Sequence, residues 1–218
     1  MKRENYFFAI AGNIGVGKTT WTKMLSTMLN WYPHYEKVIE NPYIENFYKD
    51  MKRWSFHSQI FFLTHRFKDH IKIQNSRMTC VQDRTIYEDG EIFARNLYLH
   101  QKMSVLDYKT YQNLYESMTE ALRYPDLIIY LRASTWKLIS RIRKRGRDYE
   151  RDIDKEYLAQ LNVLYDKWIK DYAKTHRVLV VETDKLDLEF NERQVNGIIR
   201  QIGAYQEQLD LFPRLNVI

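Results

Sequence analysis

Eight residues, Gly12-Asn13-Ile14-Gly15-Val16-Gly17-Lys18-Thr19, constrain this chain more than any other stretch, because they satisfy G-x-x-x-x-G-K-[ST] at every fixed position. The flanks supply the context the pattern needs. Tyr6 to Ala11 (YFFAIA) is a short continuous apolar run of strand length, and Lys18 to Asn30 carries Trp21, Met24, Leu25 and Met28 at helical spacing. A strand, a glycine-rich turn and a helix in that order make an anion cradle. The glycines let the backbone aim several N–H groups inward, and the helix adds the positive end of its dipole. Gly12 to Thr20 is therefore the expected nucleotide-binding segment, with Lys18 reaching the β and γ phosphates and Thr19 ligating Mg²⁺. Kinases, GTPases and mechanical ATPases share this loop, so other residues must choose among them.

The rest of the chain extends the same architecture. Apolar runs at Met78 to Val81, Asp126 to Leu131 and Arg177 to Val181 predict strands, and His34 to Ile39 is a candidate for a further one after the break at Pro33. Helical spacing predicts helices over Ile44 to Met51, Trp54 to Gln74, Ile86 to Tyr98, Val105 to Leu122, Thr135 to Lys144, Asp154 to Ala173 and Glu192 to Leu209. Five short strands alternating with helices imply an α/β fold with a five-stranded parallel sheet covered on both faces. At 218 residues one domain spanning 1–218 is expected, since a second independent core would be a squeeze.

The single cysteine, Cys80, excludes an internal disulfide and implies a buried thiol in a reducing, cytoplasmic setting. Tyr6 to Ala11 is too short for the apolar region of a signal peptide, and no apolar run approaches membrane-spanning length. The six histidines show no metal-ligand spacing. The net charge of +6 fits either a nucleic acid or an anionic small substrate. Acidic residues lie among both basic runs, Arg141 to Arg151 and Lys49 to Arg53, which favours the small substrate.

Five segments together carry a resemblance to a known family. The phosphate loop, EKVIENPY, WSFHSQ, DRTIYED and RIRKRGRDYE stand in the order and at about the spacing of the deoxynucleoside kinases, most closely their bacterial deoxyadenosine and deoxyguanosine kinase branch. The resemblance covers nearly the whole chain. It implies a P-loop kinase that uses ATP and Mg²⁺ to phosphorylate a deoxynucleoside at its 5′-hydroxyl, and it implies a homodimer.

The resemblance also implies roles for particular residues. Asp83 would join Thr19 in holding Mg²⁺ or its waters, and Arg84 would contact the phosphoryl-transfer centre. The catalytic base would be Glu36, in Glu36-Lys37-Val38 where the family has Glu-Pro-Val; Glu40, before Asn41-Pro42, is the rival. Arg141, Arg145 and Arg147 match an arginine-rich lid over about 141–151. Gln59 would read the base, Phe93 would stack on it, and Tyr48 with Glu150 would hold the sugar 3′-hydroxyl. Arg66 and Asp89 match a charged pair that goes with purine and deoxycytidine preference, so the resemblance implies deoxyadenosine or deoxyguanosine as the substrate, with deoxycytidine as the alternative.

Two rival readings share parts of this pattern. A nucleoside monophosphate kinase of thymidylate kinase type has the same loop and a basic lid, and would want more positive charge at its acceptor site. A nucleotide-gated nucleic-acid-binding module would use the basic run Arg141 to Arg151 as its contact patch.

Overall fold

The computed structural model describes residues 5–186 and 192–211. Residues 1–4, which include the basic start of the chain, and residues 187–191 and 212–218 of the expected 1–218 domain lie outside that description.

Alternation along the first strand sets the layers. In β1 (Phe7–Ala11) every residue is buried. Phe7, Ala9 and Ala11 belong to one apolar cluster, while Phe8 and Ile10 belong to another on the opposite face. Side chains two apart on a strand share a face, so a strand apolar on both faces must be covered on both. The strand β4 (Leu127–Arg132) divides in the same way, with Ile128 and Tyr130 on the first face and Leu127, Ile129 and Leu131 on the second.

Helices α1 (Lys18–Leu29), α7 (Thr135–Arg145) and α9 (Glu192–Leu211) cover the second face through residues such as Trp21, Leu25, Leu138, Ile142 and Ile202. Helices α3 (Met51–Gln74), α6 (Val105–Thr119) and α8 (Lys155–Tyr172) cover the first through Leu63, Tyr111, Leu161 and Tyr165.

With β2 (Tyr32–His34), β3 (Cys80–Asp83) and β5 (Val178–Glu182) the sheet has the order β2-β3-β1-β4-β5, and all its pairs are parallel. The chain leaves β1 for β2 on one side of the sheet and β3 for β4 on the other, so the C-terminal ends of β1 and β3 border the crevice where ligands bind in open α/β sheets.

The second strand lies earlier than its sequence indicated. Pro33 sits inside β2 opposite Val81 and does not break the chain, and residues 35–43 turn. An edge strand tolerates proline because one side of it has no ladder to donate to. Glu36 thereby falls just beyond the strand end and hangs over the crevice. Helix α3 starts at Met51, ahead of Trp54, because the Asp50 side chain caps it, accepting from Arg53 N at 3.1 Å.

The helix expected over Ile86 to Tyr98 has three parts. These are α4 (Ile86–Glu88), a π-helical turn at Asp89–Ala94 and α5 (Arg95–Leu99). Such widened turns recur at functional sites, and this one carries both Asp89 and Phe93.

Candidate active site

The phosphate loop is shaped by three glycines with positive φ, at +144° for Gly12, +80° for Gly15 and +104° for Gly17. At two of them space also demands glycine. A Cβ on Gly12 would lie 2.6 Å from the Leu131 carbonyl oxygen, and one on Gly15 would lie 2.6 Å from Ile142 Cγ1.

Asn13 spends its side chain on the fold, its Nδ2 donating to the Leu158 carbonyl at 2.9 Å and to Asn162 Oδ1 at 2.8 Å. Lys18 lies across the loop, with Nζ donating to the Gly12 and Asn13 carbonyls at 3.0 and 3.2 Å. Burial and the nearby Arg84 guanidinium bring the Lys18 pKa down to about 8, against the opposing pull of Glu36, Asp83 and Glu88.

Where α1 begins, Thr19 Oγ1 donates to Asp83 Oδ2 at 2.6 Å, while Asp83 Oδ1 is buried without a hydrogen-bond partner. Burial raises the Asp83 carboxyl above its ordinary range. A hydroxyl and an orphaned carboxylate oxygen side by side at the loop are hard oxygen donors that fit Mg²⁺ sharing its remaining coordination with phosphates and water. Among the described residues no cluster of three His, Cys, Asp or Glu forms a self-sufficient metal cage. Thr20 follows on the exposed side of the same helix turn and lines the cavity.

Arg84 follows β3 in the left-handed conformation, φ +67°, its own N–H donating to the Ile10 carbonyl at 3.0 Å. A non-glycine residue held there costs energy that the surrounding structure must supply, and such residues cluster at functional sites. The effect is to send a buried guanidinium back over the sheet edge. It stacks 4.1 Å above the Phe93 ring and lies 3.3 Å from Glu36 Oε1.

Glu36 also accepts from Arg66 Nη2 at 2.5 Å, and Arg66 Nε donates to Asp89 Oδ2 at 2.5 Å. Burial alone would raise the Glu36 pKa, but Arg84, Arg66 and Lys18 together hold it well below the ordinary carboxylate range. Asp89 goes the other way. Its burial outweighs Arg66 and pushes it up to about 6.

Gln59 and Arg66 lie two turns apart on α3 and both border the same cavity of about 1300 Å³, together with Glu36, Arg84, Asp89, Phe93 and the loop. Gln59 is buried and its Oε1 has no partner. Tyr48, on α2 (Ile44–Lys49), stacks on Tyr149 with ring centres 5.7 Å apart, and burial together with Glu150 raises its hydroxyl well above the ordinary range. Glu150 is buried and takes both Arg145 Nη2 and Arg147 Nη1, the latter at 3.5 Å.

The three predicted lid arginines therefore separate. Arg145 and Arg147 sit over the cavity on Glu150, while Arg141 braces the loop. Its Nη1 donates to the Val16 carbonyl at 3.1 Å and its Nη2 to the Thr183 carbonyl at 2.7 Å. The rival carboxylate Glu40 is exposed and pairs with Lys37 at 3.3 Å.

Glu88 had no role assigned from sequence. It is fully buried, and Oε1 accepts from Gly12 N at 3.2 Å. The pattern Thr85-x-x-Glu88 is a legible capping box, but its reach to a loop 76 residues earlier has no local signal.

The deoxynucleoside kinase family model matches residues 8–206, which span every element of this site. The chain belongs to the deoxynucleoside kinase family. This deoxynucleoside kinase is 39% identical to the deoxyadenosine/deoxycytidine kinase of Bacillus subtilis, over 92% of this chain and 93% of that one. It is 33% identical to the deoxyguanosine kinase of the same organism, over 90% and 95%. A solved structure of deoxyadenosine kinase from M. mycoides with bound dATP superposes with a TM-score of 0.81 at 35% identity, covering 91% of this chain and all of that one. As a member of this family the enzyme is an ATP-dependent phosphotransferase with a five-stranded P-loop kinase fold.

Proposed function

We propose that this kinase transfers the γ-phosphoryl group of ATP to the 5′-hydroxyl of a purine deoxynucleoside, deoxyadenosine or deoxyguanosine, with deoxycytidine as the pyrimidine alternative. One observation carries the reading. A carboxylate, Glu36, stands in the cavity between the phosphate loop at Lys18 and the polar set Gln59, Arg66 and Asp89, with Arg84 bridging the two halves.

The loop amides and Lys18 hold the donor phosphates. The acceptor's 5′-oxygen bonds to the γ-phosphorus as the bond to the β–γ bridging oxygen breaks, and ADP leaves. The hydroxyl proton passes to Glu36. A carboxylate held ionised by three cations suits a late proton transfer, when the forming P–O bond has made the hydroxyl acidic. Arg84 and, once drawn from Glu150, Arg145 and Arg147 offset the charge on the transferring group. Thr19 and Asp83 would hold Mg²⁺, which supplies charge neutralisation at the β and γ oxygens. Glu150 and Tyr48 bound the sugar side of the cavity.

Gln59 offers a donor and an acceptor to a base edge, and the Arg66–Asp89 pair makes that wall polar where a thymine methyl would want apolar surface. Names of the relatives, deoxyadenosine, deoxyguanosine and deoxycytidine kinases, support the same acceptor class. A monophosphate acceptor would need a cation to spare at this end, and Arg66 and Arg84 are already paired with Glu36 and Asp89.

A cytoplasmic homodimer is the accompanying reading. It is supported by the reduced, buried Cys80 and by the exposed apolar residues Leu99, Val105 and Leu106. Among the described residues no helix is long and apolar enough to cross a membrane. A panel of deoxynucleosides with γ-labelled ATP tests the proposal. Label is expected in dAMP or dGMP, and thymidine turned over faster than every purine would overturn the acceptor assignment.

A further inference from the structure

Beneath the phosphate loop lies a buried carboxylate that the transfer chemistry does not use. Glu88 Oε2 closes the capping box of α4, accepting from Thr85 N at 2.8 Å and Thr85 Oγ1 at 3.2 Å. Its other oxygen serves a different part of the fold. Oε1 accepts from Gly12 N at 3.2 Å and from the Tyr165 hydroxyl at 2.8 Å. The Tyr165 oxygen is also 2.9 Å from the Gly12 carbonyl, and that carbonyl is the one that seats Lys18 Nζ at 3.0 Å. Glu88 and Tyr165 are both wholly buried.

We propose that Glu88, with Tyr165, is a positioning residue for ATP binding, fixing the N–H and the carbonyl on either side of the Gly12 Cα and through that carbonyl the seat of Lys18. The Gly12 N–H points down to the carboxylate, away from the cradle, which sets the plane from which the next amides fan out. Tyr165 has one proton to share between a carboxylate and a carbonyl, and the charged oxygen is the stronger acceptor. At 2.8 Å from the carboxylate oxygen and 2.9 Å from the carbonyl, the hydroxyl donates to both, more strongly to the carboxylate, and so ties the two together.

Steric limits leave this arrangement no substitute. Gly12 is at φ +144° with the Leu131 carbonyl where a Cβ would go, so the loop cannot shift towards β4 to find another partner. A buried N–H that loses its acceptor pays its full desolvation cost, so the loop would have to re-form around the missing contact. The same negative charge lies near Lys18 and Arg84 and favours their cationic forms.

The inference rests on the loop's role in holding ATP and not on the identity of the acceptor. Titration of the full chain with ATP and Mg²⁺, and separately with deoxyadenosine, reads it without turnover. Glu88→Gln turns an amide N–H towards either Thr85 N or Gly12 N, and is expected to raise the Kd and KM for ATP by about 10-fold. The Kd for deoxyadenosine should stay within about twofold of wild type.

Tyr165→Phe leaves the capping box and the Gly12 N–H contact whole and removes the hydroxyl's bonds to Glu88 and the Gly12 carbonyl, so it should show the same split with a loss of about 3- to 10-fold in ATP affinity. Wild-type ATP affinity in Tyr165→Phe overturns the proposal. So does a Glu88→Gln enzyme that loses ATP and deoxyadenosine affinity equally with a lowered Tm, the signature of a helix cap and nothing more. Should Glu88→Gln fail to fold, Tyr165→Phe decides alone.

Discussion

Glu36 and Asp89 hold the same guanidinium from two sides, Arg66 donating at 2.5 Å to each carboxylate. The residue proposed to take the acceptor's proton is thus tied to the residue proposed to help read the acceptor's base. Anything that draws Arg66 towards the base loosens its hold on Glu36 and lets the carboxylate's proton affinity rise.

Replacing Glu36 with Gln is expected to lower kcat by roughly 10²- to 10⁴-fold, because Glu36 is the cavity carboxylate held against both Arg66 and Arg84 and near Lys18. Glu40→Gln should turn over at close to the wild-type rate, since Glu40 is exposed and engages Lys37. Steady-state kinetics on the two variants separate the candidates. A crippled Glu40→Gln beside an active Glu36→Gln would reverse the roles.

Asp89 gives the proposed acceptor site a pH dependence whose sign follows from its burial. Burial lifts its pKa to about 6, so it is ionised above that pH and protonated below. Protonation removes the anionic acceptor of Arg66 Nε, and acceptor affinity should fall as pH drops through about 6. Measured from about pH 5 to 8, kcat/KM for deoxyadenosine should show that acid limb, and Asp89→Asn should flatten it.

Two glycines with similar φ predict different costs. At Gly15, φ +80°, an added methyl meets Ile142 at 2.6 Å and the Leu138 carbonyl at 3.0 Å, so Gly15→Ala must displace α7 or the loop. At Gly146, φ +70°, nothing lies within 4 Å. Gly146→Ala should therefore cost only about 1–2 kcal/mol of backbone strain. Gly15→Ala should lose that, further stability and most ATP affinity, as thermal melts with and without ATP would register.

His70 should contribute to acid lability. It is buried, Nε2 donates to the Arg123 carbonyl at 2.8 Å, and Nδ1 has no partner. Burial lowers its pKa from 6.5 to about 4. The unfolded chain takes up a proton below pH 6.5 that the folded chain refuses until about 4. The neutral histidine's contribution is then complete above 6.5 and is lost as pH falls towards 4, on the order of 3 kcal/mol in all. Denaturant melts across that range should show the slope, and His70→Gln should lack it.

Local signals determined much of this protein. The phosphate loop was legible because its chemistry is carried by consecutive residues: three glycines for the backbone, a lysine and a threonine at fixed spacing. Strands β1, β3, β4 and β5 and the long helices were legible because burial on one or both faces imposes a period on the sequence.

Pro33 misled, because its meaning depends on whether the strand around it lies at the edge, and that is a property of the assembled sheet. The widened turn at Asp89–Ala94 left no mark, since it differs from an α-helix by the packing around it. Residues far apart in the chain were joined only by the fold. Glu36, Arg66, Arg84 and Asp89 form one buried charge network, and the charges on each decide the proton affinity of the others through a low-dielectric interior. Arg141 and Glu88 were settled at the same level. Their partners lie on distant elements, and no spacing in the sequence records which carbonyl or amide a folded side chain will meet.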